Sequence, residues 1–188
     1  MTRVRGTLIR QATSDDFSLI RRLEDQIFPE DPWTDGMIAE ELASPARAYF
    51  IAQIPCPIGE VTCERDSDSD SGSDSDGHDN DGHDNDESVL GYGGVSLGLD
   101  ADIMTIGVLP SARGVGMGSA LVNALIDAAT QTGAERIFLE VRESNTAAQK
   151  LYEKHGFDTV GRIRRYFRNP LEDAVTMVRQ RPSDPSVH

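Results

Sequence analysis

Residues 103–129 read IMTIGVLPSARGVGMGSALVNALIDAA, and this stretch decides the fold. Ile103 to Val108 has the β-branched, apolar character of a strand. Pro110 and the glycines at 114, 116 and 118 mark a turn. Leu121, Val122, Leu125, Ala128 and Ala129 then share one helical face that closes at Gly133. Glycines let the backbone come close to a ligand, and the following helix N-terminus offers unpaired N–H groups and a positive dipole end. That combination suits a pyrophosphate. Alone, the glycines are a weak signal, and a tight turn between a strand and a helix is the alternative.

Two phosphate loops fail here. A Walker loop needs Gly-Lys-Ser/Thr, and the stretch has no lysine. The dinucleotide fingerprint needs Gly-x-Gly-x-x-Gly/Ala, but its last position falls on Ser119 or Leu121.

Working outward, Thr7 to Gln11 reads as a strand, and Thr13-Ser14-Asp15-Asp16 offers N-cap oxygens. Phe17, Leu19, Ile20, Leu23 and Ile27 recur at helical spacing before Pro29 and Pro32 break the chain. Thr34 starts a second helix through Met37, Ile38 and Leu42. Strands are expected at Tyr49 to Ile54, Val89 to Leu97, Ile103 to Val108, Ile137 to Val141, Phe157 to Phe167 and Ala174 to Val178. A helix spans Asn145 to His155 and closes at Gly156. The order β-α-α-β-β-β-α-β-α-β-β predicts one α/β (α+β) domain over residues 1–188, with a mixed, centrally parallel sheet.

The chain has 188 residues and a formal charge of −14. Residues 64–87 hold eleven Asp and Glu against one Arg, so most of the excess belongs to this segment. Its Ser-Asp repeats and twice-written Gly-His-Asp-Asn-Asp cannot bury enough apolar surface to offset ordering entropy. Residues 64–88 are therefore expected to be a disordered insertion in a hairpin loop. It reads as a solvated loop, as an attractor of a basic substrate, or as a weak metal site through its Asp, His78 and His83. Residues 181–188 are expected to be a flexible tail. The rest lacks the basic face that nucleic acid requires, so no direct nucleic-acid partner is expected. Two cysteines, Cys56 and Cys63, make a disulfide framework improbable and fit a reducing compartment. No zinc spacing, signal h-region or membrane-length apolar run is present. The expectation is a cytoplasmic protein with no metal and no membrane partner.

Arg113-x-x-Gly116-x-Gly118 resembles the coenzyme A loop of the GNAT acetyltransferase superfamily. Downstream, Leu139-Glu140-Val141-Arg142-Glu143-Ser144-Asn145-Thr146-Ala147-Ala148 and Leu151-Tyr152-Glu153-Lys154-His155-Gly156-Phe157 look like the RimI type, which acetylates the N-terminal amine of a ribosomal protein, typically on alanine. Arg164-Arg165-Tyr166-Phe167 and Glu172-Asp173-Ala174 are similar to its C-terminal region, with Phe167 where a second tyrosine is common. The resemblance is close over Met104 to Met177 and looser at Phe28-Pro29 and Trp33-Thr34.

The resemblance implies a GNAT fold: about six or seven strands, four helices and a V-shaped splay between the central parallel strands. It implies acetyl-coenzyme A as co-substrate and, as acceptor, a basic protein N-terminus of a small-subunit ribosomal protein. Ile106, Gly107 and Val108 would pair with the pantetheine arm. Arg113, Gly114, Val115, Gly116, Met117, Gly118 and Ser119 would hold the pyrophosphate, and Asn145 would contact the cofactor or cap its helix. An α-amine of pKa about 7.7–8.0 must lose a proton before it attacks a thioester. Glu140 is the candidate general base and Tyr152 the candidate acid for the departing thiolate. The plainer readings are a salt-bridged strand glutamate and an aromatic packed on the sheet. Val108 N–H could polarise the thioester carbonyl. Other acceptors (another protein N-terminus, a lysine, a small amine) remain open, as does a non-catalytic coenzyme A-binding protein.

Overall fold

The computed structural model describes residues 7–54 and 89–181. The acidic insertion, both cysteines and residues 182–188 lie outside the described residues.

The chain runs β1 (Leu8–Gln11), α1 (Phe17–Ile27), α2 (Asp35–Ala43), β2 (Arg47–Gln53), β3 (Val89–Ser96), β4 (Asp100–Val108), α3 (Met117–Gln131), β5 (Arg136–Arg142), α4 (Thr146–Lys154), β6 (Asp158–Arg168) and β7 (Leu171–Gln180). The element order is the one the sequence predicts. The Thr34 hydroxyl accepts from Met37 N–H at 3.3 Å and starts α2. Asp16 is bound by Thr13 N–H at 2.8 Å and by the two terminal nitrogens of Arg10, which fixes the entry to α1. Gly116, at φ 93°, is the N-cap of α3, and its left-handed backbone suits glycine.

One seven-stranded sheet has the order β1-β2-β3-β4-β5-β7-β6. Among the described residues every neighbouring pair is antiparallel except β4 and β5. Alternation along β2 sends Tyr49 and Ile51 toward α1 and α2, and Ala48 and Ala52 toward α3. The first face buries Ile20, Leu23, Ile38 and Tyr92 beside them. The opposite face buries Val122, Leu125 and Ala129 of α3 with Ile103, Leu139 and Met177.

Among the strands, β4 and β7 extend furthest beyond the bounds that the sequence suggests. β4 starts at Asp100 rather than Ile103, because the Leu99 carbonyl accepts from Glu135 and Arg136 N–H groups and Arg136 forks onto Asp100 at 2.7 and 2.6 Å. β7 covers Leu171–Gln180, where its outer residues pair with Arg168 of β6 and Arg136 of β5.

The central feature is where β4 and β5 part. Their pairing covers only Asp100↔Arg136 to Ile103↔Leu139. On its other side, β4 pairs Ile103 with Val95 and Thr105 with Gly94, leaving Met104 as an extra residue. Such a bulge bends a strand and increases its twist. β4 turns away from β5 at this residue, giving the expected splay.

Candidate active site

The splay holds a cleft of about 510 Å³ lined by residues from both sheet faces. Ile137, Leu139 and Val141 are buried toward α3, so alternation turns Phe138, Glu140 and Arg142 to the opposite face. Glu140 is half-buried at the cleft wall. Burial raises its carboxyl above the ordinary glutamate range, and the negative charge of Asp102 raises it further. Asp102 pairs with Phe138 and so shares Glu140's face, one diagonal step away.

Tyr152 enters from α4. Its ring packs edge-on against Phe157 at 5.9 Å and belongs to the α3-side core, while the residue also lines the cleft. Burial pushes its hydroxyl up to about 12, so it is a neutral donor at physiological pH. Its packing and cleft-lining positions coexist. A carboxyl and a phenol hydroxyl thus reach one cleft from the two faces of the sheet.

The backbone of β4 supplies the third element. Leu109 N–H donates to Leu90 O at 2.8 Å, which makes Leu109–Leu90 a hydrogen-bonded pair. Antiparallel alternation then places Gly91–Val108 and Gly93–Ile106 at non-hydrogen-bonded positions. The N–H groups of Ile106 and Val108 therefore point away from β3, into the space that β5 leaves. An extended amide-bearing arm fits there as an added strand. Beyond it, Gly114 (φ 79°) and Gly116 turn the chain into α3, whose first N–H groups face the same end. The uncapped helix end is open to an anionic group such as a phosphate.

The remaining predicted residues are placed as follows. Gly107 lies under α1, where a Cβ would meet Ile27 and Phe28 side chains at 3.0–3.2 Å. At Gly118 a Cβ would come within 3.3 Å of Leu151, so this glycine also lets α3 approach α4. Met117 is 1% exposed and packs with Ala52, Ala112 and Leu121. Val115 is exposed. Arg113 donates from Nε to Val108 O at 3.1 Å, bracing the turn. Ser119 Oγ is 2.7 Å from His155 Nε2, which joins α3 to α4. Asn145 lines the cleft and caps α4, its side chain accepting from Ala148 N–H at 3.1 Å.

Sequence reasoning passed over Glu24 and Arg142, which also line the cleft. Glu24 was legible in principle. It sits between Ile20 and Ile27 on the apolar stripe of α1, where a charged residue is out of place. Among the described residues, no group of three or more His, Cys, Asp or Glu side chains could hold a metal ion. No helix among them is long and apolar enough to cross a membrane.

Residues 17–157 match the model of the acetyltransferase (GNAT) family. The chain is 34% identical over 180 residues to N-alpha-acetyltransferase RimI of Mycobacterium tuberculosis, covering 93% of this chain and 92% of the relative. It is 28% identical over 171 residues to a putative [ribosomal protein bS18]-alanine N-acetyltransferase of Bacillus subtilis, covering 90% and 92%. The crystal structure of the ribosomal-protein-S18-alanine N-acetyltransferase from Escherichia coli superposes with a TM-score of 0.70 at 20% identity, over 97% of this chain and 99% of that one.

Proposed function

The chain belongs to the GNAT acetyltransferase family, and from that premise we propose that it transfers acetyl from acetyl-coenzyme A to the N-terminal α-amine, typically alanine, of a ribosomal protein. Its relatives' activity makes it an acetyl-coenzyme A-dependent N-acetyltransferase. The observation that carries the mechanism is the meeting of Glu140 and Tyr152 at the splay between β4 and β5.

Glu140, directly or through water, takes a proton from the acceptor ammonium, and the freed amine attacks the thioester carbon. The carbonyl oxygen gathers negative charge, which the Val108 N–H is aimed to stabilise. The C–N bond forms, the C–S bond breaks and Tyr152 gives its proton to the departing thiolate, while the surplus proton on the new amide nitrogen leaves through water and restores the Tyr152 hydroxyl. No acyl-enzyme is needed, because both substrates reach the same opening. Glu24, Glu30, Asp31 and Glu140 line the cleft with Arg142, which favours a cationic acceptor. The relatives named for the alanine of protein bS18 support a ribosomal N-terminus.

The test is thiol release from acetyl-coenzyme A with an alanine-starting ribosomal peptide, for the wild type, Glu140→Gln and Tyr152→Phe. Turnover should fall in both variants, and equal turnover in all three overturns the mechanism. An Nα-blocked, lysine-containing peptide that turns over faster than the free N-terminus overturns the acceptor. Coenzyme A binding without turnover on either peptide would indicate a binding protein instead.

A further inference from the structure

Glu24 is 1% exposed in the middle of α1, beside the cleft. A buried carboxylate is unfavourable by several kcal/mol unless its oxygens are hydrogen-bonded. Both are. Oε2 accepts from Trp33 N–H at 2.9 Å, and Oε1 accepts from the Tyr92 hydroxyl. Tyr92 is itself fully buried on β3, and its hydroxyl lies 3.4 Å from Thr105 Oγ1 on β4. One carboxylate therefore joins α1, the segment leading to α2, β3 and, through Tyr92, the cleft-lining strand β4.

That segment has few ties of its own. Pro29 and Pro32 have no N–H to donate. Phe28 N–H closes onto Glu24 O at 2.8 Å and Asp31 N–H onto Phe28 O at 3.2 Å. Trp33 is held at both its backbone groups, by Glu24 at the N–H and by Arg21 at the carbonyl. Phe28 to Asp31 and Trp33 form a wall of the cleft that also contains Glu140, Arg142 and Phe167.

We propose that Glu24 is a positioning residue for the acceptor: by bridging Trp33 N–H and Tyr92 OH it sets the wall against which the acceptor N-terminus is aligned toward Glu140. This rests on the reading that the acceptor enters this cleft. With both oxygens engaged, Glu24 neither binds the ammonium nor moves its proton. Burial, and then the Glu24 charge, raise the Tyr92 hydroxyl well above the ordinary tyrosine range, so it remains a donor wherever the fold survives.

Trp33 is the only tryptophan in the chain, so its fluorescence reports on this wall without any substrate. Glutamine at position 24 keeps an oxygen for Trp33 N–H, and its amide can donate to the Tyr92 oxygen. Glu24→Gln should stay within about threefold of wild type in acceptor KM and in acrylamide quenching of Trp33. Glu24→Ala should raise the acceptor KM about tenfold or more, leave acetyl-coenzyme A KM within about twofold, and increase quenching, the scale expected for losing a charged hydrogen-bond pair. Tyr92→Phe, which keeps the Trp33 bond, should move the same readouts less and serves if the alanine variant does not fold. The proposal is overturned if acetyl-coenzyme A KM rises in step with acceptor KM, or if quenching and acceptor KM stay at wild-type values in both Glu24→Ala and Tyr92→Phe. A wild type that releases no thiol with the peptide overturns the acceptor reading, while the quenching contrast still decides the bridge.

Discussion

The Arg142 guanidinium lies over the Phe167 ring, 4.2 Å from its centre, and donates to Asn169 O at 2.7 Å and Pro170 O at 3.1 Å. A side chain of β5 thereby holds the turn between β6 and β7 at the cleft rim. Glu172 completes the arrangement, accepting from Arg142 at 3.3 Å and from Ser144 N–H at 2.6 Å. Lysine keeps the charge but lacks the planar fork and the stacking face. Arg142→Lys should raise acceptor KM by roughly three- to tenfold, corresponding to about 1 kcal/mol of lost contact, with acetyl-coenzyme A KM unchanged. Phe167→Tyr retains the ring and should be near neutral in the same steady-state assay.

The pH profile should carry the signature of Glu140. A general base works when deprotonated, so kcat/KM should rise with pH through a Glu140 pKa lifted by burial and by Asp102. Asp102 faces it from β4, Tyr166 from β6, Arg142 from β5, and Glu24 and Tyr152 line the same cleft. Removing the Asp102 charge makes proton loss from Glu140 easier. Asp102→Asn should therefore move the acid limb to lower pH, whereas Glu140→Gln should abolish that limb and lower kcat by about 10²–10⁴. Using one peptide throughout cancels the acceptor amine's own titration. A limb in the same place for wild type and Asp102→Asn would refute the coupling.

Much of this was legible because periodicity and capping residues agree locally. Thr34 and Asn145 cap the helices they precede, and the Phe17 to Ile27 stripe is the buried face of α1. Ile106 lies 34 positions before Glu140, yet both line one cleft with Asn145 and Tyr152. The start of β4 was obscure because Asp100 and Asp102 flank Ala101, and only the neighbouring β5 turns that alternation into a ladder. The glycines were ambiguous for another reason. Sequence cannot separate a glycine that admits a ligand from one that admits a helix, and Gly107 and Gly118 both press on helices. Glu24 has no motif around it, and its hydroxyl partner is 68 positions away.

The turn into α3 offers a direct test of backbone strain. Gly114 and Gly116 have positive φ, and nothing lies within 4 Å of a Cβ at Gly114. Substitution at Gly114 thus tests conformation without collision, at about 1–2 kcal/mol of strain for an L-residue. Gly114→Ala and Gly116→Ala should each lower the melting temperature by a few degrees and weaken acetyl-coenzyme A binding in calorimetry. An unchanged Kd in both would detach this turn from the co-substrate.

Removing residues 64–88 should leave the fold standing. The β2–β3 ladder already runs out to Gln53↔Val89, so the hairpin is complete without the segment. Loop length changes closure entropy only slowly. The shortened protein should melt within about 3 °C of wild type and bind acetyl-coenzyme A with the same Kd. Slower association with a basic peptide at low salt, vanishing at high salt, would reveal electrostatic attraction by the segment.

The four-rung junction of β4 and β5 also sets where the backbone trades hydrogen for deuterium. Leu109 and its register-mates are locked to β3, but the amides of Ile106 and Val108 have been turned out of the ladder. In the free protein they should exchange quickly from within a sheet whose neighbouring positions exchange slowly. Acetyl-coenzyme A should silence those two amides before it slows the rest, the outcome expected if the co-substrate stands in for the rungs that the bulge at Met104 removed.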